Sequence, residues 1–329
     1  MKLIEPPAWP GTVAIVGGGR MGGGVAEAFA VGGLTVRLAD ASPELARAAH
    51  DSVIERARGH VRTGLIDERA VQRCERIEPC RDASAAASGA QLIFEAVAED
   101  LDVKREVLSA CEAASAADAV IATNTSSLPV DELSTALGRP ERFLGMHWFN
   151  PPEWTPGVEV VPAPATDSAV VERVVEFLRA LGKRPAVVAA GVGFVANRLQ
   201  MALFCEACRC VDEGLATPAE IDEVVRSCFG FRLPFFGPFQ IADMAGLDVY
   251  AAVAEQHRRG LGERFFVPSQ LRQLVERGAT GTSAGAGFYA YAEGEPQTIL
   301  RERDERYAAL AELLGRLPPQ RFGEAVDKW

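Results

Sequence analysis

A glycine-rich turn between an apolar strand and an alanine-rich helix constrains the fold of this chain more than any other feature. Residues 12–16 (TVAIV) form a short apolar run, the glycines Gly17, Gly19 and Gly22 follow, and an alanine-rich helical pattern covers residues 20–31. A strand, a G-x-G-x-x-G turn and a helix in this order are typical of the first βαβ unit of a doubly wound sheet. The sequence therefore predicts an α/β Rossmann-like fold at the N-terminus.

The glycines of this turn suit the binding of a dinucleotide. Gly17 permits the tight turn, Gly19 lets the backbone approach a pyrophosphate, and Gly22 lets the new helix pack against the strand. The N-terminus of that helix then faces the anion and stabilises it through free N–H groups. We expect these three glycines and Met21, in the first helical turn, to contact the cofactor.

Asp40 indicates which dinucleotide binds. It lies just past the second apolar strand, residues 34–38, where a carboxylate can accept hydrogen bonds from the adenosine ribose hydroxyls. The 2′-phosphate of NADP would bring charge against this carboxylate, and residues 41–43 (ASP) contain no arginine to compensate. The sequence therefore predicts NAD.

Length, composition and charge narrow the class of protein. A chain of 329 residues is long enough for two domains, and 48% apolar with 24% charged residues is ordinary for a globular protein. No apolar run approaches the ~18 residues of a membrane span. The net charge of −11 argues against nucleic acid as a general partner. We expect neither a membrane nor a nucleic-acid partner.

The N-terminal segment and the cysteines bear on compartment and metal binding. Residues 1–11 contain one lysine, one acid and three prolines and are interpreted as a surface arm rather than a signal peptide, so a cytoplasmic location follows by default. Seven cysteines, an odd count, argue against a disulfide framework. Cys205, Cys208 and Cys210 lie in a helical pattern without a second pair at ligand spacing, so we expect core residues and no metal.

Strand and helix patterns alternate in the first half of the chain and then give way to helices. Strands are predicted at 12–17, 35–40, 91–97, 119–123, 143–147, 158–161 and 184–188, with a short return to the sheet at 77–78. Helices are predicted at 20–32, 43–63, 67–75, 101–115 and 168–181, and beyond them at 195–214, 217–228, about 238–256 and about 268–277. The alternation predicts a Rossmann-like domain over residues 1–190, with a helical arm at about 43–76 that projects from the sheet. An all-α domain is predicted over residues 191–329, with the boundary near Gly191.

One of the four histidines lies in a context typical of catalysis. His147 ends a predicted strand within residues 145–151 (GMHWFNP), at the carboxyl edge where open α/β sheets bind ligands. Glu159 lies inside another short apolar strand, and a buried carboxylate needs a partner. Glu159 can fix the tautomer of His147 and stabilise the imidazolium that forms when the ring takes a proton. The alternative is a purely structural hydrogen bond between the two.

Two polar clusters accompany this pair. Residues 123–127 (TNTSS) follow a strand at the same edge, where Asn124 and Ser126 can hold the nicotinamide and a substrate oxygen. Asn197 starts the first helix of the second domain. The alternatives are a turn residue for Ser127 and a helix cap or interdomain hydrogen bond for Asn197.

The chain resembles the L-3-hydroxyacyl-CoA dehydrogenases in the order and spacing of these motifs, from about Thr12 to about Tyr291. The shared segments are 17–22, 123–127, 147–151 (HWFNP), Glu159, 193–198 (GFVANR) and 237–239 (GPF). The resemblance implies an N-terminal Rossmann-like NAD-binding domain, a helical C-terminal domain that forms a homodimer, and a substrate cleft between them.

The resemblance also implies a role for individual residues. His147 is the general base, Glu159 orients it, and Ser126 and Asn197 position the oxygens of the substrate. Glu99 and Lys104 match positions near the cofactor, although an i, i+5 pair of surface charges is the alternative. The implied reaction removes the proton of a 3-hydroxyl while the hydride on C3 passes to C4 of NAD, and it requires no metal.

The sequence departs from the family where coenzyme A is recognised. Two lysines that grip its phosphates align with Gly59 and Thr63. The adjacent basic residues Arg56, Arg58, His60 and Arg62 are the candidate replacements, and a solvated basic face is the alternative. Residues 281–289 (GTSAGAGFY) also lack the usual basic side chains. The resemblance favours an acyl-CoA substrate. An acyl group on a carrier protein, a free polar 3-hydroxy acid as in gulonate and carnitine dehydrogenases, and a catalytically silent relative are the alternatives.

Overall fold

The fold is that of a computed structural model, which describes residues 8–317. The chain divides into two units between Ala202 and Leu203, inside a helix that spans Ala196–Asp212. The domain boundary near Gly191 therefore stays a prediction. Residues 1–7, which belong to the predicted N-terminal surface arm, lie outside the described part. Residues 318–329, which belong to the predicted second domain, also lie outside it.

The first unit is built on a doubly wound sheet. Within residues 8–317 eight strands pair in the order β3-β2-β1-β4-β5-β6-β7-β8. They are β1 (Thr12–Val16), β2 (Thr35–Ala39), β3 (Glu78–Pro79), β4 (Leu92–Glu95), β5 (Val120–Thr123), β6 (Phe143–Trp148), β7 (Gly157–Pro162) and β8 (Arg184–Val187). All neighbours run parallel except β6 and β7, which are antiparallel. The predicted α/β class is confirmed.

Helices cover both faces of this sheet because its strands are apolar on both sides. Val13 and Ile15 of β1 pack into one buried cluster, and Ala14 and Val16 pack into another. The first face carries α1 (Arg20–Val31), α2 (Pro43–Arg62), α3 (Glu68–Cys74) and α7 (Ser168–Ala180). The second face carries α5 (Leu101–Ala114) and two short unpredicted helices, α4 (Ala83–Ala87) and α6 (Val130–Ser134).

The two helices of the predicted helical arm, α2 and α3, are each packed on one side. Val53 and Ala57 of α2 and Val71 of α3 are buried in the same cluster as α1. Apolar residues spaced along one side of α2 pack it against its neighbours. The helical arm at about 43–76 stays a prediction.

The second unit is helical, as predicted. After the helix Ala196–Asp212, here α8, its helices are α9 (Pro218–Ser227), α10 (Pro238–Ala245), α11 (Leu247–Leu261), α12 (Ser269–Glu276) and α13 (Glu295–Arg316). The single helix expected over 238–256 is broken at Gly246, whose φ of 100° belongs to a conformation that favours glycine. The long α13 was not predicted, because its many charged residues hide an apolar periodicity.

The cysteine cluster in α8 was interpreted wrongly. Cys205 and Cys208 are exposed and Cys210 is half-buried, so they are not core residues. All seven cysteines of the chain are free thiols. Among residues 8–317, no helix combines the length and the apolar character needed to cross a membrane.

Candidate active site

In the glycine-rich turn, two positions have no room for a side chain, and a third has open space above it. Gly17 has a φ of 101°, and a Cβ there would lie 2.5 Å from the carbonyl oxygen of Ala96. A Cβ on Gly22 would lie 1.8 Å from the carbonyl oxygen of Gly17. A Cβ on Gly19 would meet no atom within 4 Å. The surface above Gly19 is therefore open, as the approach of a pyrophosphate requires.

The N-terminus of α1 keeps its N–H groups available. Its N-cap, Gly19, provides no side-chain hydrogen bond, whereas Ser42 caps α2 and Asp100 caps α5 with theirs. Uncapped N–H groups at a helix start are the donors that anions use. Asp40 lies next to this turn, because its Oδ2 accepts the N–H of Gly18 at 2.7 Å. Met21 is half-buried and packs against the core.

Glu99 organises the polar loop after β5. Its Oε1 accepts the hydroxyl of Thr125 at 2.7 Å and the N–H groups of Ser126 and Ser127 at 2.8 and 3.0 Å. Burial raises the pKa of Glu99, but these hydrogen bonds and the charge of Lys104 outweigh it and lower the pKa to about 2. Ser126 is thus held by an ionised carboxylate.

A fully buried carboxylate, Glu95, was not anticipated from the sequence. It accepts hydrogen bonds from the hydroxyl of Thr123, from the N–H of Val97 and from the ammonium of Lys104, which lies 2.7 Å away. Lys104 also lies 3.3 Å from Glu99 and is 1% exposed, so it is not a surface charge. Glu95 ends the apolar strand LIFE, and the reasoning applied to Glu159 would have found it.

Asn124 ties two strand ends together at the carboxyl edge. Its Oδ1 accepts the N–H of Trp148, the last residue of β6, at 3.0 Å. β5 and β6 are parallel neighbours, so Asn124 and Ser126 leave the sheet at the same edge as His147. The sequence-predicted polar residues of these two strands are brought together.

His147 and Glu159 form a buried pair on adjacent strands. They are direct partners in the antiparallel register of β6 and β7, and Nδ1 of His147 lies 2.9 Å from Oε2 of Glu159. With Nδ1 engaged, Nε2 of His147 is the ring nitrogen that remains for a substrate proton. The ring also contacts Phe149 and Phe194, with centroids 4.5 and 5.5 Å away.

Glu159 also holds the segment that leads to Asn197. Its Oε1 accepts the N–H groups of Val195 and Ala196 at 3.0 and 2.9 Å, at the start of α8. Phe194, just before them, has a φ of 46°, a strained conformation for a residue with a Cβ. One carboxylate therefore binds both the imidazole and the backbone that carries Asn197.

Arg58 and Arg62 of α2 are already paired with acids. Arg58 lies 3.0 Å from Glu75 and Arg62 lies 3.1 Å from Glu55, and both pairs are solvent-exposed. Neither arginine contacts the polar groups of the sheet edge in the described structure. Two other basic side chains of α2 share the buried Glu27 of α1, namely Arg56 at 2.6 Å and His60 at 2.9 Å.

Comparison with known proteins matches both halves of the chain. Residues 12–191 match the family described as 3-hydroxyacyl-CoA dehydrogenase, NAD binding domain, and residues 193–291 match 3-hydroxyacyl-CoA dehydrogenase, C-terminal domain. A 3-hydroxybutyryl-CoA dehydrogenase of Mycobacterium tuberculosis is 34% identical over 282 residues, which cover 85% of this chain and 98% of the relative. The 5-formyl-3-hydroxy-2-methylpyridine 4-carboxylate 5-dehydrogenase of Mesorhizobium japonicum is 31% identical over 309 residues, 92% of this chain and 97% of the relative.

Solved structures give the same result. The crystal structure of a 3-hydroxyacyl-CoA dehydrogenase from Archaeoglobus fulgidus superimposes with a TM-score of 0.76 at 33% identity. The match covers 93% of this chain and 99% of that structure. The similarity therefore extends over both units.

Proposed function

The chain belongs to the 3-hydroxyacyl-CoA dehydrogenase family, as its motifs indicated, and we propose that it interconverts an L-3-hydroxyacyl-CoA and the corresponding 3-ketoacyl-CoA. The match of residues 12–191 to an NAD binding domain confirms NAD as the cofactor. The observation that carries the proposal is the buried His147–Glu159 pair at the carboxyl edge of the sheet, with one ring nitrogen left for a substrate.

His147 is the proposed general base. In oxidation its Nε2 takes the proton of the 3-hydroxyl, and Glu159 stabilises the resulting imidazolium through Nδ1. Ser126 and Asn197 donate to the oxygens of the substrate and so orient C3. NAD held by the glycine-rich turn and Asp40 would supply the acceptor for the hydride on C3. In reduction His147 returns the proton.

The proposed NAD site follows the strand ends. The pyrophosphate would be held by Gly17, Gly19, Met21 and Gly22, and the adenosine ribose would be held by Asp40. Glu99 and Asn124 would line the nicotinamide end, where the carboxylate of Glu99 already fixes the loop of Ser126. The buried Lys104 would act there through its contact with Glu99. The residues present fit the cofactor, because the open position at Gly19 and the uncapped start of α1 lie beside Asp40.

A substrate panel tests the reaction. NADH formation at 340 nm is measured with 3-hydroxybutyryl-CoA, with carnitine, with gulonate and with a 3-hydroxyacyl group on acyl carrier protein. We expect the highest kcat/KM with the coenzyme A thioester. A higher value with a free acid or the carrier protein would replace the proposed substrate, and no activity on any of them would favour a catalytically silent protein.

Arg58 and Arg62 are the proposed contacts of the coenzyme A phosphates. Their ion pairs with Glu75 and Glu55 are exposed and therefore weak, so a phosphate can displace the carboxylates. Replacing both arginines by alanine is expected to raise the KM for an acyl-CoA without changing kcat. The matched control is Arg47→Ala, which breaks an exposed pair with Glu44 near the other end of α2. An unchanged KM would remove the arginines from the substrate site.

We further propose a homodimer that forms through the second unit, a cytoplasmic location and a role in fatty acid metabolism. An apolar groove of about 450 Å³ supports the dimer. It is lined by Phe204, Ala207, Cys208, Val211, Asp212, Pro218, Ile221 and Asp222. Phe204 is 60% exposed, a large unpartnered apolar surface for a single chain. Light scattering of the wild type and of Phe204→Asp tests this, with a dimer and a weakened dimer as the expected results.

A further inference from the structure

A buried lysine outside the described site holds the segment that joins the two catalytic strands. Lys183 lies just before β8 and is 8% exposed. Its Nζ donates to the carbonyl oxygens of Pro152 at 2.7 Å and Thr155 at 2.9 Å. Both carbonyls belong to residues 149–156, the segment that connects the strand of His147 to that of Glu159. The ammonium therefore closes this segment on itself.

Packing alone does not explain a lysine at this position. Burial lowers the pKa of Lys183 to about 8, because removal from water disfavours the charged ammonium. The charge of Glu153 and the face of the Trp148 ring, whose centre lies 4.9 Å from Nζ, oppose this effect. A methionine of similar length would fill the space without that penalty. What the lysine adds is the pair of hydrogen bonds to the segment.

The same segment is tightly confined on its other side. A Cβ on Gly24 of α1 would lie 2.5 Å from Cγ of Pro152 and 2.8 Å from Oε2 of Glu153. The backbone of α1 is therefore already in close contact with the 149–156 segment. The ring of Trp154 packs edge-on against His60 of α2, with centroids 5.1 Å apart. The segment is thus fixed between the first-face helices and Lys183.

The first residue of the 149–156 segment, Phe149, contacts the ring of His147. The Phe149 ring lies 4.5 Å from the ring of His147, and Trp148, on which the Lys183 ammonium rests, directly follows His147 in β6. A shift of Pro152 and Thr155 would therefore move the residues that pack around the imidazole. Displacements of about 1 Å at such a distance can cost about 100-fold in rate.

We propose that Lys183 is a positioning residue for the His147–Glu159 pair: its hydrogen bonds to Pro152 and Thr155 fix the 149–156 segment and, through Phe149 and Trp148, the ring of His147. Its catalytic consequence rests on the proposed function, whereas its structural consequence at the imidazole does not. The two can therefore be tested separately.

The test compares Lys183→Met with Arg184→Met, which removes a cation from the adjacent and exposed position. We expect kcat for 3-hydroxybutyryl-CoA to fall about 10- to 100-fold in Lys183→Met. The KM values for 3-hydroxybutyryl-CoA and for NAD should stay within about 3-fold of those of the wild type. We expect no change in Arg184→Met. The chain has four histidines, and the Cε1–H resonance of His147 is the one that is missing from the spectrum of His147→Gln. This resonance should shift in Lys183→Met and not in Arg184→Met. A lower Tm with unchanged kcat and an unchanged resonance would show a merely structural role and overturn the proposal.

A second variant keeps the test decisive if Lys183→Met does not fold. Gly24→Ala leaves Lys183 in place but pushes Pro152 and Glu153 from the α1 side. It should lower kcat and shift the same histidine resonance, and a wild-type resonance would overturn the proposal. If the wild type oxidises none of the substrates tested, the proposed function fails, and the resonance still decides the role of Lys183.

Discussion

His147 and Glu159 face each other as direct partners on two antiparallel strands, with 2.9 Å between Nδ1 and Oε2. Both residues are buried, with 4% of His147 and 5% of Glu159 exposed to solvent. The second oxygen of Glu159 accepts two backbone N–H groups at the start of α8. The backbone register thus sets the distance between base and carboxylate, and the carboxylate sets the start of the next helix.

Replacement of His147 by glutamine should separate binding from chemistry. The general base is lost, so we expect kcat to fall by ~10²–10⁴. The glycine-rich turn and Asp40 are untouched, so the Kd for NAD should stay close to that of the wild type. Steady-state rates at 340 nm and calorimetric titration with NAD measure the two quantities. An unchanged kcat would remove His147 from the mechanism.

Two variants of Glu159 should have different effects because its oxygens have different partners. Glutamine keeps one carbonyl oxygen for Val195 and Ala196 but presents an amide where His147 needs a carboxylate, so we expect kcat to fall by ~10²–10⁴ at nearly wild-type stability. Alanine also leaves the two N–H groups unpaired and should cost about 1–3 kcal/mol in the free energy of unfolding.

Urea unfolding and the 340 nm assay distinguish the two Glu159 variants. A fully active Glu159→Gln would mean that His147 is oriented by other groups. An alanine variant as stable as the glutamine variant would mean that the N–H groups of Val195 and Ala196 find water or another acceptor.

The sequence was most informative where function depends on local order along the chain. The strand, turn and helix around Gly17 are contiguous, and the polar residues at the ends of β5 and β6 follow apolar runs, so periodicity locates them. Gly246 shows the limit of this reasoning. Its φ of 100° breaks one expected helix into α10 and α11, and a lone glycine in a helical pattern does not reveal that conformation.

Contacts between residues far apart in the chain could not be read from the pattern. Lys183 is 31 residues from Pro152, and Glu27 is 29 residues from Arg56, so only the folded topology brings them together. Glu95 is the exception. It lies in an apolar strand as Glu159 does, and the cost of burying a carboxylate predicts a partner, here Lys104.

Alanine should have different effects on stability at two glycines of the glycine-rich turn. Gly22→Ala places a Cβ 1.8 Å from the backbone oxygen of Gly17 and should lower the free energy of unfolding by at least about 2–3 kcal/mol. Gly19→Ala meets no atom within 4 Å and has an allowed φ of −62°, so its stability should match or slightly exceed that of the wild type.

The alanine at Gly19 nevertheless occupies the place of the pyrophosphate. We expect its Kd for NAD to rise at least about 10-fold, equivalent to about 1.4 kcal/mol. Thermal unfolding and NAD titration of both variants measure the contrast. Tight NAD binding by a stable Gly19→Ala protein would place the pyrophosphate elsewhere.

Glu99 should make stability depend on pH in the acid range. Hydrogen bonds and Lys104 outweigh the effect of burial and lower its pKa to about 2, from 4.5. The unfolded chain therefore binds the proton more readily, and the stabilisation is fully present above about pH 4.5 and is lost as the pH falls towards about 2. About a third of the Glu99 side chain is exposed, so solvent screens these interactions, and the expected stabilisation at pH 7 is about 1–2 kcal/mol.

Glu99→Gln removes the ionised form and isolates this contribution. The difference in unfolding free energy between wild type and variant should be largest at pH 7 and fall to about half near pH 3, since protonation of the wild-type carboxylate in the unfolded chain removes the advantage. Urea unfolding at pH 7, 5, 4 and 3 measures it. Glu106→Gln, at an exposed position of α5, is the matched control and should show no such trend. A difference that stays constant with pH would mean that the hydrogen bonds from Ser126 and Ser127 stabilise the loop equally well with a neutral acceptor.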